Sequence, residues 1–237
     1  VHVAQQAGLN LKESSVGKIF VAGEPGGGIA SVRESISESW GNARVFDQYG
    51  LTEVGPVTYE RIDMPGHMHV IGDSYIPEIV DPDSLEAVDE GGVGELILTN
   101  LHRAGSPLIR YRTGDLVKNG GLDESPFESY DLKLDSGILG RSDDMVLVRG
   151  VNVYPAAIEK IIRRFPEILE YQVKISQQGT MHELDIAIES DLGQPNEVAK
   201  RLEVALKSSL ALRIPVHEVA QGALPRFEMK AKRWIRS

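Results

Sequence analysis

Residues 17–50 read GKIFVAGEPGGGIASVRESISESWGNARVFDQYG, and the succession of patterns within them decides the fold class. Ile19 to Ala22 form an apolar run that enters a turn at Gly23 and Pro25, as a buried strand does. Ile29, Val32, Ile36 and Trp40 then recur at helical spacing, with Ser and Glu on the other face. The stretch from Ala43 to Gly50 is a second strand. Strand, helix and parallel-capable strand make a βαβ-like unit, in which ligands sit at the carboxyl ends of the strands. Both GEP (23–25) and YGLTE (49–53) fall at such ends. Tyr49 offers a flat apolar face, Thr52 a hydroxyl and Glu53 a hard anionic oxygen. Together they suit a nucleotide with its phosphates and a metal ion.

Outward from this unit the pattern changes. HMHVIG (67–72), YIPEIVD (75–81), VGELILTNL (93–101) and PLIRYRTGDLV (107–117) are short alternating runs separated by Gly, Pro and Asp turns, which predicts an antiparallel β region. Residues 118–137 are polar and contain glycine, as a loop or irregular hairpin would. After GRSDD (140–144) a small α+β unit begins with strand, turn and strand in MVLVRGVNVYP (145–155). A helix follows with Pro155 in its first turn and Ile158, Ile161, Ile162 and Phe165 inward. EYQVKIS and ELDIAIES alternate as strands, and Val198, Leu202, Ala205 and Leu206 share one face of a second helix. The fold class is therefore α/β, with domains at 1–142 and 143–237.

Charge marks the same boundary. Residues 1–142 hold 22 acidic and 11 basic groups, net −11, whereas 143–237 hold 13 and 14, net +1. Nucleic-acid binding needs clustered Lys and Arg, so no nucleic-acid partner is expected. The absence of cysteine excludes disulfides, thiolate metal sites and cysteine nucleophiles. No apolar run is long enough to cross a bilayer and the first thirty residues lack a signal peptide, so a cytoplasmic protein without a membrane partner is expected. The chain opens in VHVAQQAGL, which reads as a helix already under way, so a fragment of a longer protein is expected.

Four further positions carry candidate chemistry. Asp115, at the tip of YRTGDL (111–116), can accept bonds from both hydroxyls of a ribose, or be an ordinary turn aspartate. Arg141 stands beside Asp143 and Asp144 at the boundary, where a solvated linker is the alternative. Gly150 follows Arg149 in a turn between strands. Lys230, in LPRFEMKAKRW, is either a phosphate clamp or a solubilising surface charge. His67 and His69 alternate on one strand face, but without a third ligand they read as two exposed histidines. GEPGGG lacks the Lys-Ser/Thr ending of a P-loop.

Taken in order, VAGEP, YGLTE, YRTGD, GRSDDMVLVRGVNVYP and the lysine of LPRFEMKAKR resemble the core motifs of the acyl-adenylate-forming superfamily. The spelling is most similar to its phenylacetate-coenzyme A ligase branch, over essentially the whole chain. The resemblance implies a partial large AMP-binding domain, holding the βαβ unit and the antiparallel β region, followed by a small mobile α+β domain. It implies ATP or AMP, Mg²⁺ and coenzyme A as cofactors and a small aromatic carboxylic acid as substrate. Gly23, Glu24 and Pro25 would line the adenine, with Tyr49 stacked on it and Gly50 beside it. Thr52 would bond the α-phosphate, Glu53 would ligate Mg²⁺, and Asp115 would hold the ribose with Arg141 close by. Asp143 would be the hinge, Gly150 would line the pantetheine tunnel, and Lys230 would serve adenylation. The family's phosphate loop and most of its acyl pocket precede GEP, so the isolated chain is expected to lack full activity. A zinc held by cysteines, as in many relatives, is not expected. Met229 stands where the pattern has glycine before the lysine. A non-coenzyme A acceptor and a non-catalytic nucleotide- or partner-binding remnant remain open alternatives, as does the oligomeric state, a homodimer included.

Overall fold

β1 (Lys18–Ala22) and β2 (Arg44–Gln48) pair in parallel, in register from Lys18 with Arg44 to Ala22 with Gln48. Parallel neighbours cannot be joined by a tight hairpin, and α1 (Ala30–Ser39) makes the crossover. Phe20 and Phe46 stack across the pair at 5.4 Å between ring centroids. The structure is a computed structural model that describes the chain apart from residues 2, 5–6, 24, 125–129, 179–180, 192–196, 228–230 and 237. Two units are distinct, Val1–Asp143 and Asp144–Ser237.

In the first unit, a two-residue ladder of β3 (Gly50–Leu51) and β4 (Gly55–Pro56) follows β2. Six strands come next: β5 (Thr58–Glu60), β6 (His67–Val70), β7 (Tyr75–Val80), β8 (Val93–Asn100), β9 (Tyr111–Glu124) and β10 (Tyr130–Arg141). They form one antiparallel sheet in the order β5-β6-β10-β9-β8-β7. Val57, Val70, Leu96, Leu98, Val117 and Leu134 have no exposed surface and make its core.

Of the two alternatives for 118–137 the irregular hairpin holds, and one local expectation is corrected. Residues 118–124 and 130–137 belong to β9 and β10, two central strands paired antiparallel, whose register shifts between Leu132 and Leu134 and again at Ile138. Polar residues are tolerated there because they find partners: the Tyr59 hydroxyl donates to Asp131 at 2.7 Å, and Asp131 accepts from the Gly72 N–H at 3.1 Å. His69 is not exposed. It is wholly buried, with Nε2 3.2 Å from Asp123 and its ring stacked on Tyr59, whereas His67 meets Asp135 at 3.1 Å.

The second unit comprises β11 (Val146–Val148), β12 (Val151–Val153), α2 (Pro155–Ile162), β13 (Ile168–Gln178), β14 (Met181–Ser190), α3 (Glu197–Leu210), β15 (Val216–Glu218) and β16 (Trp234–Arg236). The strand order is β12-β11-β14-β13-β16, with β15 also on β14. Pro155 occupies the first turn of α2, where its missing N–H has no cost. Tyr171, Val173 and Ile175 of β13 and Leu184, Ile186 and Ile188 of β14 alternate inward. They share one core with Ile158, Ile161 and Ile162 of α2 and Val198, Leu202 and Leu206 of α3. Among the described residues, no helix is long and apolar enough to cross a membrane.

Because Leu202 is fully buried in this core, Leu202→Ala should destabilise the second unit by about 2–5 kcal/mol. Urea titration read by circular dichroism checks this, and a change within experimental error would show that the core is not packed as described.

Candidate nucleotide site

Tyr49 is the first residue beyond β2, and its backbone is tied on both sides. Its N–H donates to Thr58 Oγ1 at 2.9 Å, and its carbonyl accepts from the N–H groups of Val57 and Thr58 at 2.9 and 3.1 Å. The phenol is thereby aimed at the antiparallel sheet and donates to Asp115 Oδ2 at 2.6 Å. Burial first, and the Asp115 carboxylate second, push the Tyr49 hydroxyl above its usual pKa. It stays protonated and is a permanent donor.

Asp115 lies near the start of β9, with only 6% of its surface exposed. Its placement depends on the two residues before it. Thr113 Oγ1 donates to the Leu96 carbonyl at 2.7 Å and accepts from the Asp115 N–H at 3.0 Å. Gly114 has φ +74°, and a Cβ there would stand 2.6 Å from Arg141 Nη2. The backbone conformation thus favours glycine, and a side chain there would displace the guanidinium lying across it. Arg141 pairs with Asp115 in the β9–β10 ladder. Its Nη1 reaches Asp115 Oδ1 at 3.5 Å, while Nε and Nη2 hold Asp143 at 2.7 and 3.1 Å. That pair of hydrogen bonds from Arg141 lowers the pKa of Asp143, which is otherwise exposed. Ser142 N–H closes the corner on the Gly114 carbonyl at 2.7 Å.

Gly50, Thr52 and Glu53 lie on the hairpin that leaves Tyr49. A Cβ on Gly50 would stand 2.7 Å from the Gly55 carbonyl oxygen, so the ladder closes only around glycine. Thr52 and Glu53 are exposed at its tip. The tip is braced from below: Arg103 donates to the Glu53 carbonyl at 2.7 Å, and the Tyr75 hydroxyl lies 2.8 and 2.9 Å from the carbonyls of Val54 and Pro56. The Glu53 backbone is fixed while its side chain points to solvent.

Gly23, with φ +81°, turns the chain out of β1 directly after Ala22, the strand partner of Gln48. Pro25 opens a 3-10 turn, Pro25–Gly28. Glu24 lies outside the described residues, as does Lys230. Gly150 belongs to the second unit, where it is exposed with φ +84° between β11 and β12. Tyr49, Asp115, Arg141 and Asp143 are therefore brought together, with the hairpin tip and Gly23 alongside. No group of three His, Cys, Asp or Glu among the described residues is arranged to hold a metal ion.

Three acidic positions escaped the sequence reading. Asp47 is buried under the 3-10 turn, where a Cβ on Gly27 would come within 2.3 Å of its Cγ. Burial raises its pKa to about 6, against the opposing Gln48 N–H, with Glu60 raising it further. Glu60 accepts from the Asp47 N–H at 2.7 Å and pairs with Arg33 at 2.5 Å, and Arg33 also donates to the Gly27 carbonyl at 2.9 Å. Glu95, 1% exposed, accepts from the Gly114 N–H at 3.0 Å and is paired with Arg112. A carboxylate inside an otherwise apolar run was the available signal for Asp47 and Glu95.

Residues 150–237 match the model of the AMP-binding enzyme C-terminal domain. The chain is a member of the acyl-adenylate-forming superfamily, and its second unit carries that domain. Among its relatives, it is 30% identical over 94% of its length to a phenylacetate-coenzyme A ligase of Thermus thermophilus, covering 54% of that protein. It is 33% identical over 84% of its length to a phenylacetate-coenzyme A ligase of Pseudomonas putida, covering 46% of it. A 2-hydroxyisobutyryl-CoA ligase, crystallised with 2-HIB-AMP in the postadenylation state, superposes on all of the chain with a TM-score of 0.90 at 27% identity. The chain covers 51% of that structure, and it spans about half the length of the curated relatives it matches.

Asp47 has a higher pKa folded, about 6, than the usual value of 3.8. Its contribution to stability is complete below the unfolded value and is lost as pH rises through about 6. Asp47→Asn should therefore flatten the decline in stability between about pH 4 and 6. Thermal melts across that range test this, and an unchanged slope would contradict the burial.

Proposed function

We propose that the chain is the carboxy-terminal part of an ATP-dependent ligase that joins an aryl acid of the phenylacetate type to coenzyme A through an acyl-adenylate. The supporting observation is the meeting of Tyr49, Asp115 and Arg141, which come from three separate motifs and close into one hydrogen-bonded cluster. A carboxylate has about four acceptor positions. With one oxygen on Tyr49 and the other near Arg141, Asp115 retains capacity for the hydroxyls of a ribose. Tyr49 presents its ring to the adenine, with Gly23, Glu24, Pro25 and Gly50 along the base.

Thr52 bonds the α-phosphate from the hairpin tip. Glu53, an exposed carboxylate on a braced backbone, fits a cation such as Mg²⁺ that is held by one or two carboxylates and by substrate phosphates. Magnesium, when bound, would neutralise charge developing on phosphate oxygens. Lys230 supplies the second positive charge during adenylation. In thioester formation the thiol of coenzyme A displaces AMP, and Gly150 lines its approach, with Asp143 as the hinge that exchanges the two. The aryl-acid preference draws on the phenylacetate-coenzyme A ligases among the relatives, and a cytoplasmic address is part of the same proposal.

Calorimetry with AMP tests the site on the chain itself. Asp115→Ala should remove charge-assisted bonds of about 1.5–3 kcal/mol, roughly ten- to hundredfold in Kd. Absence of AMP binding by the unaltered chain would favour a non-catalytic remnant. In the whole protein, Lys230→Ala should cripple adenylation and spare thioester formation from supplied acyl-adenylate. Equal loss in both steps contradicts the role of the lysine, and adenylation without any thioester points to an amine, hydroxyl or carrier-protein acceptor.

A further inference from the structure

The last turn and strand of the second unit are tied down by two carboxylates that stand side by side. Glu170 on β13 and Glu189 on β14 are direct cross-strand partners, and both are buried. Like charges so placed repel each other, and each has given up its hydration. Each is met by an arginine from the tail. Arg226 donates through Nη2 and Nη1 to Glu189 at 2.6 and 3.2 Å, and the N–H groups of Gly222 and Leu224 donate to the same carboxylate at 2.9 and 2.6 Å. Arg233 donates through Nε and Nη2 to Glu170 at 2.6 and 3.3 Å and lies over the Tyr171 ring at 5.1 Å. Directly after it, β16 pairs in parallel with β13. Arg226, first among several donors, holds the Glu189 carboxyl well down, to about 2.

The two arginine clamps bracket a short stretch that contains Lys230. We infer that the Glu170–Glu189 pair is a dock that fixes both ends of the lysine segment, so that Lys230 travels with the second unit as a whole and not on a tail that peels away. This rests on the role given to Lys230 in the proposed function. Release of the tail would leave two buried carboxylates facing each other without counter-charge, a far costlier state than the docked one. The tail therefore stays down throughout the reaction cycle, with Arg226 and Arg233 both remaining on the second unit. Glu170, Glu189, Arg226 and Arg233 are positioning residues: none need touch substrate, and each acts through where the lysine is held.

Two readouts test the dock. Hydrogen exchange on the chain should show the described amides from 220 to 236 exchanging at least tenfold faster in the double variant Arg226→Ala/Arg233→Ala, with the amides of α1 in the first unit unchanged. If that variant fails to fold, Glu170→Gln/Glu189→Gln removes the two buried carboxylate charges, leaves half-exposed Arg226 to water and Arg233 to Glu159 at 4.0 Å, and should loosen the same segment. In the whole protein the loosened variants should lose tenfold or more in kcat for adenylation at unchanged KM for ATP. Thioester formation from supplied acyl-adenylate should be untouched, and Arg226→Lys should recover part of the loss. Unaltered exchange in both double variants overturns the dock, and so does faster exchange with unaltered adenylation. Lys230→Ala run alongside separates the two readings. If it spares adenylation, the lysine's role fails and the dock's purpose with it; if it cripples adenylation while the clamp variants do not, the dock alone is wrong.

Discussion

Tyr49 leaves a parallel strand and Asp115 sits in an antiparallel sheet 66 residues later, and a 2.6 Å hydrogen bond joins them. In the first unit the βαβ segment and the six-stranded sheet have separate strand ladders. The bond requires a protonated phenol and an acceptor carboxylate in a largely dry place, and burial secures the first by raising the phenol's pKa. Arg141 offsets the buried negative charge from the neighbouring strand. If Asp115 were moved from its place, neither Tyr49 nor Arg141 would have a reason to face the same point.

Glycines decide how close these groups come. Gly114 leaves room for the Arg141 guanidinium, Gly27 for the Asp47 carboxyl, and Gly50 for the carbonyl that closes the hairpin. At each, a methyl group would stand under 3 Å from a neighbour, so a side chain would force the polar group away. Three acids with buried side chains, Asp47, Glu60 and Glu95, are each bonded to a backbone N–H or an arginine that shapes a loop. The second unit uses the same device at Glu170 and Glu189. Buried carboxylates are costly unless bonded, and here the bonding converts that cost into a definite loop geometry.

The elements themselves were legible wherever a period of two or 3.6 was imposed by burial. Ile158, Ile161 and Ile162 on α2, Val198, Leu202 and Leu206 on α3, and the alternation through β13 and β14 are cases where one face touches the core. The pattern was ambiguous at β9 and β10. Their polar residues satisfy one another across strands and so need no apolar alternation, which left 118–137 open between a loop and an irregular hairpin. It failed at His69, whose burial depends on Asp123, 54 positions away.

By itself, the order of local patterns determined that a βαβ unit precedes an antiparallel region and a small α+β unit, and it identified Tyr49, Asp115 and Arg141 as worth attention. Periodicity and turn chemistry act over a few residues, and a linear text carries them in full. Only the tertiary structure decided that Tyr49 bonds Asp115, that Glu95 holds Gly114, and that Glu170 and Glu189 face each other beneath two arginines. Those contacts span 19 to 66 residues, and whether a carboxylate is solvated or buried depends on partners that only the folded chain brings within reach.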